Sequence, residues 1–283
     1  MNRRTLEEKL FLALMIASVF IVIGALVLIV TVIVINGAST LTLSMFTETT
    51  AGSFYLGPGG GFLNAIIGSL ILAVPATIIA FAISIFIAMY LQKDFLTTGP
   101  SSIIRTCLDL MWGIPSIVYG VFAITISVAI GIRGGSVLFG IIALTLLEIP
   151  IITRSIDESI KVVPHGLKES AYSLGSTRFE TAFHVIRRQA MPGIVAGILL
   201  GFGRGIGDAA SILLTVGDSN YIPTSIYDQT AALPTIILNL AGMPDKTVQN
   251  KAYAVAFVLL LIVLAISILT RYLTKKSSRY LIK

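Results

Sequence analysis

The sequence has little of what soluble enzymes use for structure and chemistry: one cysteine, one tryptophan, two histidines and only 12% charged residues. A single cysteine, Cys107, excludes an internal disulfide and gives no basis for a zinc or iron–sulfur site, and its apolar neighbours predict a buried thiol. His165 and His184 have no ligand residues beside them, so no metal site is expected. The sequence also has no Walker loop and no serine–histidine–aspartate set. We therefore do not expect an enzyme.

Apolar residues are abundant, at 55% of the 283 residues, and the mean hydropathy is +0.94. A helix needs about 20 residues to cross a hydrocarbon core of about 30 Å. Six apolar runs come close to or exceed that length, which predicts an all-α polytopic membrane protein with six transmembrane helices. The runs are Leu10–Ile35, Phe62–Leu91, Thr106–Ile130, Val137–Thr153, Gly193–Val216 and Ala252–Leu273.

The basic residues predict how these helices are oriented. One set of alternate loops carries 16 of the 20 lysines and arginines, the other set carries three, and Arg204 lies inside a span. Because cytoplasmic loops are enriched in lysine and arginine, both termini are expected in the cytoplasm of a cell whose plasma (inner) membrane holds the chain. The first run is too long for a signal peptide and has no small-residue cleavage site, so we expect it to be retained.

A polar interruption, residues 164–192, separates the fourth and fifth spans, and we call it the elbow. Gly175 suits a helix C-terminus, and Thr177 with Glu180 forms a capping-box pattern for a following helix. Two short helices with a corner between them are therefore predicted, presenting a surface on which a partner could dock. In the long outer loop 217–251, the apolar segment 231–241 is too short to span and predicts a re-entrant or interfacial piece.

Arg204 and Asp208 are ionisable residues within the fifth predicted span. Their i, i+4 spacing predicts an ion pair on one helix face. One interpretation is an internal salt bridge that neutralises both residues, helped by glycines that bring helices close. The other is a fixed positive charge on an anion pathway, since the arginine fork suits oxyanions. The two interpretations can coexist.

Other features within the spans have a structural interpretation beside a functional one. Asp109 is expected to pair with Arg105, four residues earlier. Glu148 is either a gate or pathway residue or a hydrogen-bonded carboxyl. Pro115 and Ser116 interrupt the third span, and such breaks are either tolerated helix bends or substrate-lining segments.

The elbow resembles the EAA loop of permeases from ABC importers. The resemblance rests on Glu169-Ser-Ala171, on Gly175 four residues later, and on Pro192-Gly193, which would open the next span. It departs from the family in Ser170 and in Arg187-Arg188, where a Leu-Pro is usual. The resemblance implies that the elbow docks on a separate ATPase, which would bind ATP and Mg²⁺, while this chain binds no cofactor or metal. The coupling residues would be Glu169, Ser170, Ala171, Gly175, Arg178 and Phe179.

A wider resemblance, from residue 60 to about residue 264, is to the PstA-type permeases of phosphate importers. Its marks are Asn64-Ala-Ile-Ile-Gly68-Ser, Gly113-Ile-Pro-Ser-Ile-Val-Tyr-Gly120, residues 150–158, and Gly203-Arg-Gly-Ile-Gly-Asp-Ala-Ala, where the family has Ala-Arg-Ala-Ile-Gly-Glu-Thr-Ala. The resemblance implies half of a phosphate pathway containing Arg204 and Asp208. The implied partners are a PstC-like permease, a dimeric PstB-like ATPase, an extracytoplasmic phosphate-binding protein and the lipid bilayer, with no nucleic acid.

Two other functions stay open: a permease for another oxyanion, such as molybdate, tungstate or sulfate, and a secondary transporter. The expected organisation is a first helix with its outer loop (1–61), a permease core (62–274) that includes the cytoplasmic EAA-like loop (154–192), and a basic tail (275–283).

Overall fold

All regular structure is helical in the part of the chain that the computed structural model describes, which comprises residues 3–51, 54–55, 59–92, 94–132 and 134–277. This confirms the all-α prediction. The α-helices are α1 (Arg3–Thr40), α2 (Ser44–Thr47), α3 (Leu63–Tyr90), α4 (Thr98–Gly113), α5 (Ser116–Ala129), α6 (Val137–Lys161), α7 (His165–Ser173), α8 (Arg178–Glu180), α9 (Arg187–Ile206), α10 (Ala210–Leu213), α11 (Leu233–Ala241) and α12 (Lys246–Ser277).

Five helical stretches are long and apolar enough to cross a membrane, and a sixth span results if α4 and α5 count together. These two helices meet at an angle of 96°. The bend follows from Pro115, because a proline disfavours helical backbone at the preceding residue, and Ile114 is extended. The Tyr119 hydroxyl donates to the Met111 carbonyl across the bend at 2.7 Å and so pairs a carbonyl near the end of α4. The single third helix predicted for 106–130 is therefore two helices.

Helix α6 is the centre of the bundle, packing on α3 along one side and on α9 along another. Four glycines of α9 spaced four residues apart form the contact with α6. A Cβ on Gly197 would lie 2.8 Å from the Ser155 Cβ, and a Cβ on Gly201 would lie 2.6 Å from the Ile152 Cγ1. Only glycine lets the two backbones approach this closely. The stripe is Gly193, Gly197, Gly201 and Gly205, opposite Ser159, Ser155, Ile152 and Glu148.

The two ends of the bundle are closed by different polar contacts. At one end, the loop end, buried Asn64 accepts from the Thr50 amide and donates to the Ser219 carbonyl at 2.7 Å. Helix α1 ends and α12 begins at this end, where Gly37 lies against Tyr253. At the other end, the elbow end, Arg105 pairs with Asp157 and Lys168 with Asp94.

The boundaries of the fourth and fifth spans differ from the prediction. Helix α6 continues past Thr153 to Lys161, and the fifth helix begins well before Gly193, so that Pro192 lies inside α9. A π-helical segment, Thr181–Ile186, joins α8 to α9 into one continuous stretch. Hydropathy marks only the part of a helix that suits lipid, and a helix can extend into water beyond it. The fifth helix also ends at Ile206, ten residues before the predicted Val216.

The structure also describes the surroundings of Cys107 and the conformation of the apolar segment 231–241. Cys107 is exposed on α4, so the prediction of a buried thiol is wrong for this chain by itself. The segment 231–241 contains helix α11, whose Leu233, Ile236 and Leu240 are fully buried; its position relative to a membrane stays a prediction. Lys93 and Arg133, which are two of the loop residues counted for the orientation, residues 56–58 and the end of the tail, 278–283, lie outside the described residues.

Candidate functional site

Arg204 and Asp208 form an ion pair where α9 ends. The Arg204 Nη2 lies 3.2 Å from the Asp208 Oδ1, so the predicted pairing is confirmed. The two residues do not share a helix face, however, because α9 ends at Ile206 and Asp208 follows the cap residue Gly207. The pair therefore bridges the end of a helix and the turn that leaves it.

The two partners of this ion pair have very different surroundings. The Asp208 side chain is 3% exposed, and its Oδ2 accepts from the Ser211 amide at 2.8 Å, which fixes the start of α10. The Arg204 side chain is 50% exposed. A guanidinium group has five N–H donors, and the described contacts of Arg204 use one nitrogen. The arrangement holds the arginine in place and leaves most of its donors directed at the surface.

The surface around Arg204 is open and mostly apolar. A Cβ on Gly203 would meet nothing within 4 Å, and Leu200, one turn before Arg204 on α9, is exposed, as are Leu213 and Leu214 at the end of the next helix. A charged side chain facing lipid costs several kcal/mol, so such residues normally face a wet pathway or another protein. This face of α9 is therefore the best candidate for an anion contact in the described chain.

Pro115 and Ser116 lie at the start of α5, the helix that packs beside the same turn. Helix α5 packs on α10, and the backbone of Gly120 lies directly against the Ser211 carbonyl. Since Ser211 is the residue whose amide Asp208 holds, the bend between α4 and α5 and the Arg204–Asp208 pair belong to one region. Pro115 is exposed and Ser116 is half-buried.

Glu148 is fully buried where α6 meets α3 and α9. Neither carboxyl oxygen has a hydrogen-bond partner among the described residues, and the Thr77 hydroxyl of α3 lies near the carboxyl group but outside hydrogen-bond geometry. The carboxyl group faces the backbone of Gly205 on α9. Glu148 does not line an open path in this conformation, and its role as a gate stays a prediction.

The elbow has the predicted corner and the first predicted short helix, α7, but the second helix is not short, because α8 continues through the π-helical segment into α9. Gly175 has a φ of +86°, which favours glycine, and it follows α7. The capping box is formed, with the Thr177 amide donating to the Glu180 Oε2 at 2.8 Å and the Glu180 amide donating to the Thr177 Oγ1 at 3.3 Å. The corner between α7 and α8 is thus set by local sequence.

The coupling residues suggested by the sequence divide into exposed and buried groups. Glu169 and Ser170 are exposed, whereas Ala171 packs inward. Phe179 is 62% exposed and stacks on Phe183 with ring centroids 4.5 Å apart. The Arg178 Nη1 donates to the Asp94 carbonyl at 2.9 Å, which ties the elbow to the chain that follows α3.

Two cavities flank the elbow. One, of about 180 Å³, is apolar and is lined by Phe86, Met89, Tyr90, Phe95, Phe179, Ala182 and Phe183. The other, of about 290 Å³, has a mixed lining in which Asp94, Arg105, Lys161 and Lys168 are charged. Exposed Leu174 at the corner extends the apolar surface. The elbow therefore presents apolar side chains beside charged ones, as docking surfaces do.

Sequence reasoning missed Asp157, which joins three elements at the elbow end. Its carboxylate accepts from the Arg105 Nε at 2.8 Å and from Gln92 at 3.2 Å, and it pairs with the Lys161 Nζ at 3.0 Å. The predicted Arg105–Asp109 pair is wrong, because Asp109 pairs with Arg154 of α6 instead, at 3.3 Å. The spacing of Arg154, Asp157 and Lys161 along one helix was the signal for such a cluster.

Comparison with known sequences identifies relatives along nearly the whole chain. A family model described as "binding-protein-dependent transport system inner membrane component" matches residues 99–279. The phosphate transport system permease protein PstA of Yersinia pestis is 32% identical over 273 residues, which cover 96% of this chain and 92% of that protein. The protein of the same name from Pasteurella multocida is 31% identical over 276 residues, 98% of this chain and 97% of that protein.

Solved structures share the fold at lower sequence identity. A chain of the MetNI methionine ABC transporter, in an inward-facing conformation, gives a TM-score of 0.61 at 20% identity, covering 76% of this chain and 95% of that one. A chain of a bacterial alginate ABC transporter in complex with its pentasaccharide-bound periplasmic protein gives 0.63 at 15% identity, covering 96% and 95%. At these identities the similarity concerns the fold alone.

Proposed function

Because the chain belongs to the family of binding-protein-dependent transport system inner membrane components, a family of transport subunits rather than enzymes, we propose that it is the PstA-type permease subunit of an ABC importer for inorganic phosphate. The observation that carries the choice of cargo is Arg204, a half-exposed cation in an apolar stretch whose position is fixed by the buried Asp208. The names of the relatives support the same cargo.

Arg204 is the proposed contact for phosphate. A guanidinium group matches an oxyanion with two parallel N–H donors, and a weakly hydrated arginine releases water more readily than a lysine. Asp208 holds the guanidinium in one orientation. Its negative charge also lowers the net charge of the pair, so that an anion binds weakly enough to be released. A pathway residue needs both properties, because tight binding would stop transport.

The proposed complex contains four kinds of subunit. This chain pairs with a second, PstC-like permease, which supplies the other half of the pathway. A dimeric PstB-like ATPase binds ATP and Mg²⁺ and docks on the elbow, and an extracytoplasmic phosphate-binding protein delivers the anion at the loop end. In this orientation the elbow end and both termini are cytoplasmic, which agrees with the excess of lysine and arginine in those loops.

The proposed coupling route runs through one continuous helical stretch. From Arg178 at the elbow to Ile206 beside Asp208 the chain is helical throughout, a length of about 43 Å at 1.5 Å per residue. Movement of the elbow by the ATPase therefore displaces the turn that carries Arg204. In the family this motion alternates access between the two sides of the membrane.

The decisive experiment measures phosphate uptake by the assembled importer in proteoliposomes. We expect Arg204→Ala to abolish uptake and Arg204→Lys to restore little of it, because lysine keeps the charge but loses the paired donors. Gly203→Ala is the matched control, since its added methyl group meets open space. Unchanged uptake in Arg204→Ala would remove Arg204 from the pathway.

Competition experiments test the alternative cargoes. Excess unlabelled sulfate, molybdate or tungstate is added during uptake of labelled phosphate, and excess unlabelled phosphate serves as the reference. If one of these oxyanions inhibits uptake more strongly than unlabelled phosphate does, that oxyanion and not phosphate is the substrate.

A second experiment tests the elbow as the docking surface. Glu169→Lys and Phe179→Ala should each reduce co-purification of the ATPase while the permease remains in the membrane fraction. Tyr227→Ala is the matched control, because Tyr227 is an aromatic residue of similar exposure, 58% against 62% for Phe179, on the long loop 217–251. Normal recovery of the ATPase with both elbow variants would contradict the docking assignment.

A further inference from the structure

The buried carboxyl group of Glu148 forms no ion pair with any residue that the structure describes. The side chain is fully buried, and among the described residues neither oxygen accepts a hydrogen bond or forms an ion pair. The groups facing it are neutral: the Thr77 hydroxyl from α3 and the backbone of Gly201 and Gly205 from α9. An ionised carboxylate without a partner is strongly disfavoured in such surroundings, whereas a neutral acid is tolerated.

The same carboxyl group determines how closely α9 approaches α6 near Arg204. Gly205, the residue after Arg204, has its missing side chain directed straight at the Glu148 Oε1, and an added Cβ would collide with that atom. Gly201, one turn earlier, is limited instead by Ile152, with the Glu148 Oε2 at 3.7 Å. Glu148 therefore makes the α6 contact of Gly205, which lies between Arg204 and Asp208 in the sequence.

We propose that Glu148 is held as an uncharged carboxylic acid and acts as a positioning residue, filling the space beside Gly205 and so fixing the turn of α9 that carries Arg204. The Thr77 hydroxyl, which lies near the carboxyl group from α3, is a neutral group that can accept the acid proton. The positioning role rests on the proposed function of Arg204 in anion transport, whereas the uncharged state of Glu148 does not.

The uncharged state is tested by infrared spectroscopy of the importer in lipid. The wild-type protein should show the carbonyl stretching band of a protonated carboxylic acid, and this band should disappear in Glu148→Gln. Glu148→Gln preserves shape and neutrality, so phosphate uptake and its KM should remain within about twofold of wild type, a difference of under 1 kcal/mol. An absent band, or loss of uptake in Glu148→Gln with normal assembly, would overturn the proposal.

The positioning role is tested by enlarging Gly205 and then shortening Glu148 by the same scale, so that the second change makes room for the first. Gly205→Ala should lower uptake about tenfold or more, since ångström-scale displacement of a contacting group can cost about 100-fold. Adding Glu148→Asp, which shortens the acid by one methylene group, should restore most of the loss. Gly201→Ala is the control, because its clash is with Ile152 and the same Glu148→Asp change should not rescue it. Rescue of both glycine variants, or of neither, would overturn the positioning role.

These readouts separate the two proposals. If Arg204→Ala transports normally, the function assigned to Arg204 fails, while the infrared band still reports the state of Glu148. The thermal unfolding midpoint of each variant identifies those that lose uptake because they fail to fold.

Discussion

Asp157 holds more of the elbow end together than any residue suggested by the sequence. Its side chain is 1% exposed, and it accepts from Gln92 after α3, from Arg105 on α4 and from Lys161 on its own helix. Arg105 also donates to the Leu91 carbonyl at 3.0 Å, so its guanidinium group is held by a backbone carbonyl as well as by the carboxylate of Asp157. The neighbouring acid, Glu158, is 54% exposed and pairs with Lys161 at the surface.

We predict that Asp157→Ala lowers the free energy of unfolding by about 3 kcal/mol, because it leaves buried donors without their acceptor. Glu158→Ala removes the same charge from the next residue and should cost under about 1 kcal/mol, as exposed ion pairs do. Denaturation of the purified subunit in detergent measures both variants. Equal losses in the two would show that the contacts of Asp157 contribute no more than a surface charge.

Asp228 gives a pH-dependent contact in the loop that follows α10. Hydrogen bonds from the Thr224 amide, the Ser225 amide and the Thr224 hydroxyl hold the pKa of the Asp228 carboxyl below its usual value. A lowered pKa means that these bonds stabilise the loop fully above the unfolded pKa of about 3.9, and that this stabilisation is lost as the pH falls through the lower folded value.

We therefore predict that the amides of Thr224 and Ser225 exchange hydrogen slowly at pH 6 and lose protection below about pH 4, after correction for intrinsic rates. Asp228→Asn should exchange faster at pH 6 and show little further change on acidification. Hydrogen exchange followed by mass spectrometry measures this. The Thr247 amide, which Asp245 binds at 2.8 Å, should be unaffected by the substitution. A pH response that persists in Asp228→Asn would assign it to another group.

At the scale of elements, the contact between α6 and α9 depends on the absence of side chains. The glycine stripe lets serine and isoleucine side chains of α6 pack directly on the α9 backbone. Within a membrane, where apolar burial gives little net driving force between helices, such close packing is a main source of association.

Gly197→Ala should therefore destabilise the bundle by about 1–3 kcal/mol, because its Cβ would lie 2.8 Å from both the Cβ and the Oγ of Ser155. Gly203→Ala, in the same helix but facing open space, should stabilise it by about 0.5–1 kcal/mol through helix propensity. Thermal unfolding in detergent distinguishes the opposite signs. A loss in both variants would indicate that backbone flexibility, and not packing, makes glycine necessary here.

At the scale of the whole molecule, the bundle has two chemically different ends. The elbow end carries clusters of opposite charges around Asp157 and Asp94. The loop end is closed by neutral hydrogen bonds around Asn64 and by one buried cation, Lys251, which donates to the Phe54 carbonyl at 2.7 Å. This difference agrees with the distribution of lysine and arginine along the sequence.

The proposed orientation predicts which end a membrane-impermeant thiol reagent reaches. In a Cys107→Ser background, which removes the single native thiol, Leu174→Cys should be labelled only in inside-out vesicles and Tyr227→Cys only in right-side-out vesicles. Both positions are exposed, at 87% and 58%. Labelling of both positions in the same vesicles would contradict the topology, and the reversed pattern would contradict the orientation.

Several features were determined by the sequence alone because they depend on local or summed properties. The long apolar runs determined helices of membrane-spanning length, and Thr177, Glu180 and Gly175 determined the corner of the elbow, since capping and a positive φ need only neighbouring residues. The spacing of Arg204 and Asp208 was enough to predict their ion pair.

Only the tertiary structure decided which residues meet across helices. Their i, i+4 spacing places Arg105 and Asp109 one helix turn apart, but each pairs with a residue of α6, because the packing of α4 on α6 brings oppositely charged side chains within reach. The early end of α9 at Ile206 and the facing of Glu148 onto Gly205 likewise depend on where other helices lie. A sequence specifies periodicity and capping directly, whereas contacts between distant residues follow only from how the helices pack.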